Sequence, residues 1–214
     1  RSTAIHESGH ATVMWRLEHC DPVLKVTIIP RGRSLGATWY LPEERVNHNV
    51  EHFMHKLAGL VAGRVAEQTL LDVVSTGALN DLERTSQTAY AMVAYYGMSK
   101  KIGPISYYDS TGTRDTFTKP YSEQLATEID QEVRRILDDA YNKARTLIEQ
   151  YNDKINQMAD MLLEKETIYS EDIETILGPS AQSLEEKEEQ APREETPEKV
   201  ETEVKVEKEV EKEA

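Results

Sequence analysis

Apolar positions recur along this chain at two spacings, which divide it into helices and a few extended stretches. Near the N-terminus, Val13, Met14 and Leu17 follow His6 and His10 at helical intervals, and Ser2 or Thr3 can cap the start, so a first helix is predicted to about residue 17. Asp21-Pro22 breaks that pattern. Residues 23–29 then read as a strand stopped by Pro30 and the basic turn Arg31-Gly32-Arg33, and residues 35–41 as a second strand ended by Pro42. Helical periodicity returns over residues 50–69 through Phe53, Leu57, Leu60, Val61 and Val65, with Ala58, Gly59, Ala62 and Gly63 small enough to admit another helix closely. Ser75 or Thr76 can cap a further helix to about Tyr96, with a stripe of Ala78, Leu82, Thr85, Ala89, Met92, Val93 and Tyr96.

Breaks at Gly97 and Gly103-Pro104 lead to a short predicted strand, residues 105–108, and a polar loop over 109–120. From Ser122 a long helix runs to about Tyr151, carrying Leu125, Ile129, Val133, Ile136, Ala140, Ala144 and Ile148 at helical spacing. Helices over 155–164 and 170–177, the latter with Glu171 and Asp172 in its first turn, complete a C-terminal helical bundle. The pattern therefore predicts a mainly α fold with a small β-sheet. Beyond Gly178-Pro179 the composition turns to Glu, Lys, Val, Pro and Thr, too polar to build a core. The expected division is a folded domain over residues 1–177 and a disordered acidic tail over 178–214.

Charge and composition change this picture in three places. The net charge is −14, and residues 179–214, with 13 acidic and six basic side chains, carry half of it. No Lys/Arg-rich patch marks the remainder, which argues against nucleic-acid binding. One cysteine, Cys20, excludes an internal disulfide and fits a reducing compartment. No apolar run approaches bilayer length and no signal-peptide pattern is present. The motif helix stands at the start with no methionine before it, so the chain is expected to be a fragment lacking an upstream part.

The candidate chemistry lies in the first helix. His6-Glu7-Ser8-Gly9-His10 is the pattern His-Glu-x-x-His, whose histidines, four residues apart, share one helix face and can point two imidazoles at one ion. Zinc held this way activates a water, and an adjacent carboxylate, here Glu7, acts as general base. A catalytic zinc needs a third protein ligand. The extended motif H-E-x-x-H-x-x-G-x-x-H fails, because its last two marked positions hold Val13 and Arg16. Asp81 lies on the apolar stripe of its helix, where it can either ligate the metal or complement the helix dipole. As ligand it fits better than Glu67, off its helix's stripe, or Asp72, in a connection. His48, His52 and His55 fall at helical spacing, but an exposed polar turn also produces such histidines, and only Glu51 stands near to orient them. The strand over 35–41 is either a substrate-binding edge or an ordinary hairpin arm.

Five segments together resemble the peptidase domain of FtsH-type membrane-anchored AAA proteases. They are His6 to Ala11, the extended pair ending Leu41-Pro42, Ala62-Gly63-Arg64-Val65-Ala66-Glu67, Ser75-Thr76-Gly77-Ala78-x-Asn80-Asp81, and Met92-Val93 through Tyr96-Gly97-Met98-Ser99. The resemblance covers residues 1–177 in consistent order; Ser8 stands where the family usually has Ala, and the tail lies outside it. It implies a mainly α zinc-metallopeptidase domain with one zinc held by His6, His10 and Asp81, and Glu7 as general base. It also implies a homo-hexamer, fed with unfolded or membrane-extracted polypeptide by an upstream ATPase domain. The full-length protein would be membrane-anchored with its peptidase on the cytoplasmic or organelle-matrix side. This chain holds no G-x-x-x-x-G-K-[ST] loop, so ATP use belongs to the expected upstream part. Substrate would lie extended along residues 35–41. The alternative from another class is a proteolytically silent, zinc-containing assembly or chaperone-like subunit, whose signature would be a broken ligand or base; His6, Glu7, His10 and Asp81 are all present. A soluble, ATP-independent zinc peptidase is the alternative if the chain is complete.

Overall fold

A computed structural model describes residues 1–30, 35–41, 47–111 and 119–184. The expected basic turn at 31–33, most of the polar loop over 109–120 and nearly all of the acidic tail lie outside the described residues. The elements run α1 (Ser2–Arg16), β1 (Val23–Thr27), β2 (Ala37–Tyr40), α2 (Val50–Leu71), a 3-10 turn (Thr76–Ala78), α3 (Leu79–Ala94), α4 (Glu123–Gln150), α5 (Asn152–Lys165), β3 (Thr167–Tyr169) and α6 (Ser170–Leu177). No helix among the described residues is long and apolar enough to cross a membrane.

The helix starts follow local chemistry. Asn49 caps α2 by accepting from the His52 amide, and Ser122 caps α4 by accepting from the Leu125 amide. Asp72, at φ 52°, ends α2 in the left-handed region. At α1 the structure differs from expectation, because neither Ser2 nor Thr3 caps the helix; Arg1 stands at the cap without a side-chain bond, and the Ser2 hydroxyl turns to Glu67 instead.

The helix α1 is not a surface amphipathic helix. Nearly every residue from Ala4 to Val13 is buried, because α2, α5, β1 and β2 surround it. The pair α1 and α2 runs antiparallel, as the contacts Ser2 with Glu67 and His10 with Gly59 require. Their approach depends on Gly9. A Cβ there would stand 2.5 Å from the Ala66 Cβ and 2.9 Å from the Ala62 carbonyl oxygen.

The sheet is antiparallel in the order β2-β1-β3, with Val26 opposite Thr38 on one side and Ile168 on the other. Its third strand, three residues long, is too short to announce itself by alternation. Conversely, residues 105–108 form no strand: among the described residues no neighbouring strand offers a ladder, and Tyr107 bonds back to the Ala94 carbonyl as its ring packs edge-on to Tyr121. One apolar cluster joins α1, α2, the sheet, α5, α6 and the end of α4; a second joins the start of α2, α3 and α4 as far as Ala140. Hydrogen bonds continue past residue 177. Trp15 Nε1 donates to the Gly178 carbonyl at 2.8 Å, and Gln182 Nε2 to the Leu17 and Cys20 carbonyls at 3.2 and 2.7 Å, closing the end of α1.

Candidate metal centre

Three side chains from two helices converge on one point. His6 and His10 project from α1 toward α2, each only 7% exposed, and their Nε2 atoms stand 3.1 Å apart. Asp81, in the first turn of α3, places Oδ2 3.4 Å from each Nε2. A tetrahedral zinc with bonds of about 2.0–2.1 Å sets its ligand atoms about 3.3–3.4 Å apart. The three observed separations therefore fit one zinc ion. Among the described residues this is the one group of three histidine, cysteine or carboxylate side chains close enough to share a metal.

The space for an ion is made by a residue with no side chain. A Cβ on Gly63 of α2 would lie 2.5 Å from both Nε2 atoms, so any larger residue would fill the point at which the imidazoles converge.

The outer nitrogens of the histidines are also placed. His10 Nδ1 donates to the Gly59 carbonyl at 2.8 Å, which leaves Nε2 with its lone pair toward the metal position. His6 Nδ1 faces Glu67 Oε1 at 3.4 Å, too long for a formed hydrogen bond, and has no other partner among the described residues. Glu67 is 3% exposed and accepts from Ser75 Oγ at 2.9 and 3.1 Å and from Ser2 Oγ at 3.3 Å. Ser75 also accepts from the Gly77 amide and so starts the turn that leads to Asp81. Glu67, expected off its helix's apolar stripe, is buried, and it stands behind His6. A usable signal was present, because Glu67 follows Gly63 by four residues and shares its helix face.

The electrostatics follow from this packing. Burial works against the charged form of Asp81, but the two histidines facing its carboxylate outweigh it and hold the carboxyl well below the usual carboxylate range. Burial likewise disfavours protonated His10, and Asp81, Glu7 and the Gly59 carbonyl reverse that, raising its pKa. The site attracts a cation.

Glu7 is 7% exposed and stands beside the histidines with its carboxylate braced by β2: Thr38 Oγ1 donates to Oε2 at 2.8 Å. Thr38 was not singled out from the sequence, since a threonine in a strand carries no mark of function until the strand is placed. A cavity of about 930 Å³ opens over the group and runs along the groove between α1 and α2, with β2 and α3 as its other walls.

The second histidine group takes a different form. His48 and His52 stack at 4.1 Å with planes 27° apart, and His19 stacks on His55 at 5.1 Å and 30°. Stacked rings present faces to each other, and among the described residues these nitrogens do not converge on a common point.

Comparison with known proteins agrees with the geometry. The model of a family described as Peptidase family M41 matches residues 1–176. The chain is 49% identical over 178 residues to the ATP-dependent zinc metalloprotease FtsH of Parabacteroides distasonis, covering 83% of this chain and 26% of that protein. It is 44% identical over 179 residues to the mitochondrial ATP-dependent zinc metalloprotease FTSH 10 of Arabidopsis thaliana, covering 83% and 22%. It is 42% identical over 178 residues to the mitochondrial inner membrane m-AAA protease component AFG3L1 of Mus musculus, covering 83% and 23%. The chain thus spans about a quarter of the length of the curated relatives it matches.

Proposed function

The chain belongs to peptidase family M41, and from that premise we propose that it is a zinc-dependent endopeptidase in which His6, His10 and Asp81 hold the metal and Glu7 is the general base. The observation that carries the reading is the set of three ligand atoms at tetrahedral spacing, with a buried, braced carboxylate beside them. Bound at that position, zinc supplies Lewis acidity toward a water and a peptide carbonyl.

The chain's own residues do the rest. Glu7 takes a proton from the attacking water as its oxygen bonds the carbonyl carbon, then hands that proton to the amine nitrogen as the C–N bond breaks. Thr38 aims one oxygen of Glu7, leaving the other to face the reaction. Asp81, held as a carboxylate, and His10, fixed through the Gly59 carbonyl, keep the ligand set in its metal-binding form. Substrate adds along the outer edge of β2, the end strand of the sheet, as an extended chain.

The wider reading extends the family resemblance, with the relatives' names supporting its ATP dependence and membrane setting. The substrates are unfolded or membrane-extracted polypeptides, and the peptidase unit, residues 1–177 followed by an acidic tail over 178–214, works in a homo-hexamer. It is driven by an ATPase domain upstream in a longer, membrane-anchored protein, with the peptidase on the cytoplasmic or matrix side. The names of the relatives, as ATP-dependent zinc metalloproteases and an inner-membrane protease component, support this reading.

Zinc analysis of the purified chain, combined with casein hydrolysis with and without a chelator, tests the core of it. Glu7→Gln is expected to retain one zinc per chain and lose hydrolysis; retained turnover would remove Glu7 from its role. Asp81→Ala is expected to lose the metal, and a full zinc complement in that variant would reassign the third ligand.

A further inference from the structure

Hydrolysis of an amide through a tetrahedral intermediate places negative charge on the former carbonyl oxygen, and preorganised donors aimed at that oxygen are commonly worth more than any other single group. The ligands and base described above do not include such a donor. Three of the six side chains in the cavity wall that carry an O–H are already committed. Thr38 donates to Glu7, while Ser2 and Ser75 donate to Glu67. His19, His52 and Lys56 line the far end of the groove, beyond Met14 and Gly59 and on the opposite side of His10 from Glu67.

One pair remains that joins the two walls nearest the chemistry. Tyr40 lies two residues after Thr38 on β2, so the two side chains share a strand face. Thr38 uses that face to reach Glu7. Arg84 lies three residues after Asp81 on α3, so it shares the helix face that presents the metal ligand. Both line the cavity, and Arg84 Nη2 donates to the Tyr40 hydroxyl at 3.1 Å. The pair spans the mouth of the cleft between the strand that braces the base and the helix that supplies the third ligand. Its hydrogen-bond inventory is incomplete in a useful way. The phenol oxygen accepts from Arg84 and still has its own proton to give, and among the described residues it donates to no protein acceptor. The guanidinium fixes where that proton points and adds a positive charge behind it.

We propose that Tyr40, oriented by Arg84, donates the hydrogen bond that stabilises the tetrahedral oxyanion in this chain. Tyr40 touches the reacting atoms and is catalytic in that sense; Arg84 is a positioning residue. The assignment rests on the peptidase reading of the same site.

The test is steady-state kinetics on a short internally quenched peptide, with zinc content and the affinity of a phosphinic peptide, a tetrahedral mimic, measured on each variant. Tyr40→Phe, which removes one oxygen, is expected to lower kcat about 10²- to 10³-fold with KM unchanged, and to weaken phosphinate binding in parallel while zinc stays stoichiometric. Arg84→Lys keeps the charge without the planar fork and is expected to show a smaller loss of the same kind, with Arg84→Gln closer to Tyr40→Phe. An unchanged kcat in Tyr40→Phe, or a rise in KM alone, overturns the proposal. So does a fall in kcat with undiminished phosphinate affinity, or a loss confined to Asn80→Ala, the other polar side chain beside Asp81 in the cavity wall. A wild-type chain that holds zinc but cleaves no peptide sinks the proposed function and this assignment with it. Wild-type turnover that survives Tyr40→Phe intact sinks this assignment alone.

Discussion

Glu67 is within reach of His6 Nδ1 but, at 3.4 Å, does not bond it, while two serine hydroxyls hold the carboxylate in place. A carboxylate held behind a ligand imidazole restrains the ring's orientation, and losing such a partner typically weakens metal binding about 10- to 100-fold. Glu67→Gln is therefore expected to lower zinc affinity by that factor in a competition titration against a chromophoric chelator. An equal affinity would mean that packing alone orients His6. At this scale the sequence shows the ligands better than their supports. His6, Glu7 and His10 are legible as a group because one helix fixes their spacing, whereas Asp81 on its apolar stripe reads equally as a metal ligand or as a complement to the helix dipole. Glu67 and Thr38 were not legible, since their roles arise only when α2 and β2 are laid against α1.

The elements meet where small residues allow it. Gly9 of α1 sits on Ala62 and Ala66 of α2, and the next small residue on that face, Gly63, leaves the gap under the imidazoles. Gly9→Ala would force a methyl into a backbone contact, and overpacking of this kind costs about 1–3 kcal/mol. A lowered urea midpoint together with weakened zinc binding is the expected outcome, because separating α1 from α2 also moves His10 from the Gly59 carbonyl. A variant with wild-type stability would show that the helices slide without cost. Helix positions were legible in the sequence because their periodicity is local; the burial of α1 on all sides was not, since α5, β1 and β2 reach it from distant parts of the chain. For the same reason β3 went unseen and residues 105–108, which have the composition of a strand, form none.

Across the molecule, the end of α1, the start of α2 and the middle of α4 meet at His55. Burial, then Lys143 and His19, push its pKa down to about 4. Both ring nitrogens face donors, the Lys143 ammonium at 3.2 Å and the His19 amide at 3.3 Å, so a protonated ring would find no acceptor there. Unfolded, the same histidine titrates near 6.5. Between those values the unfolded chain binds the extra proton, so the contribution of neutral His55 is complete above about pH 6.5 and is lost as the pH falls toward 4. Denaturant midpoints measured at intervals from pH 4 to 7 should rise with pH, and His55→Gln should flatten that rise relative to wild type. Identical slopes would place the titration elsewhere.

By itself the sequence determined the helices, the His-Glu-x-x-His spacing and the family likeness, because each is written in short-range spacing that the backbone converts directly into a shared face. The tertiary structure alone decided that Asp81 stands within 3.4 Å of both imidazoles, that Gly63 leaves a gap beneath them, that Glu67 stands behind His6, that Thr38 bonds Glu7 and that Tyr40 bonds Arg84. Those placements depend on contacts between residues dozens of positions apart, and no local pattern of side chains encodes which elements will lie against each other.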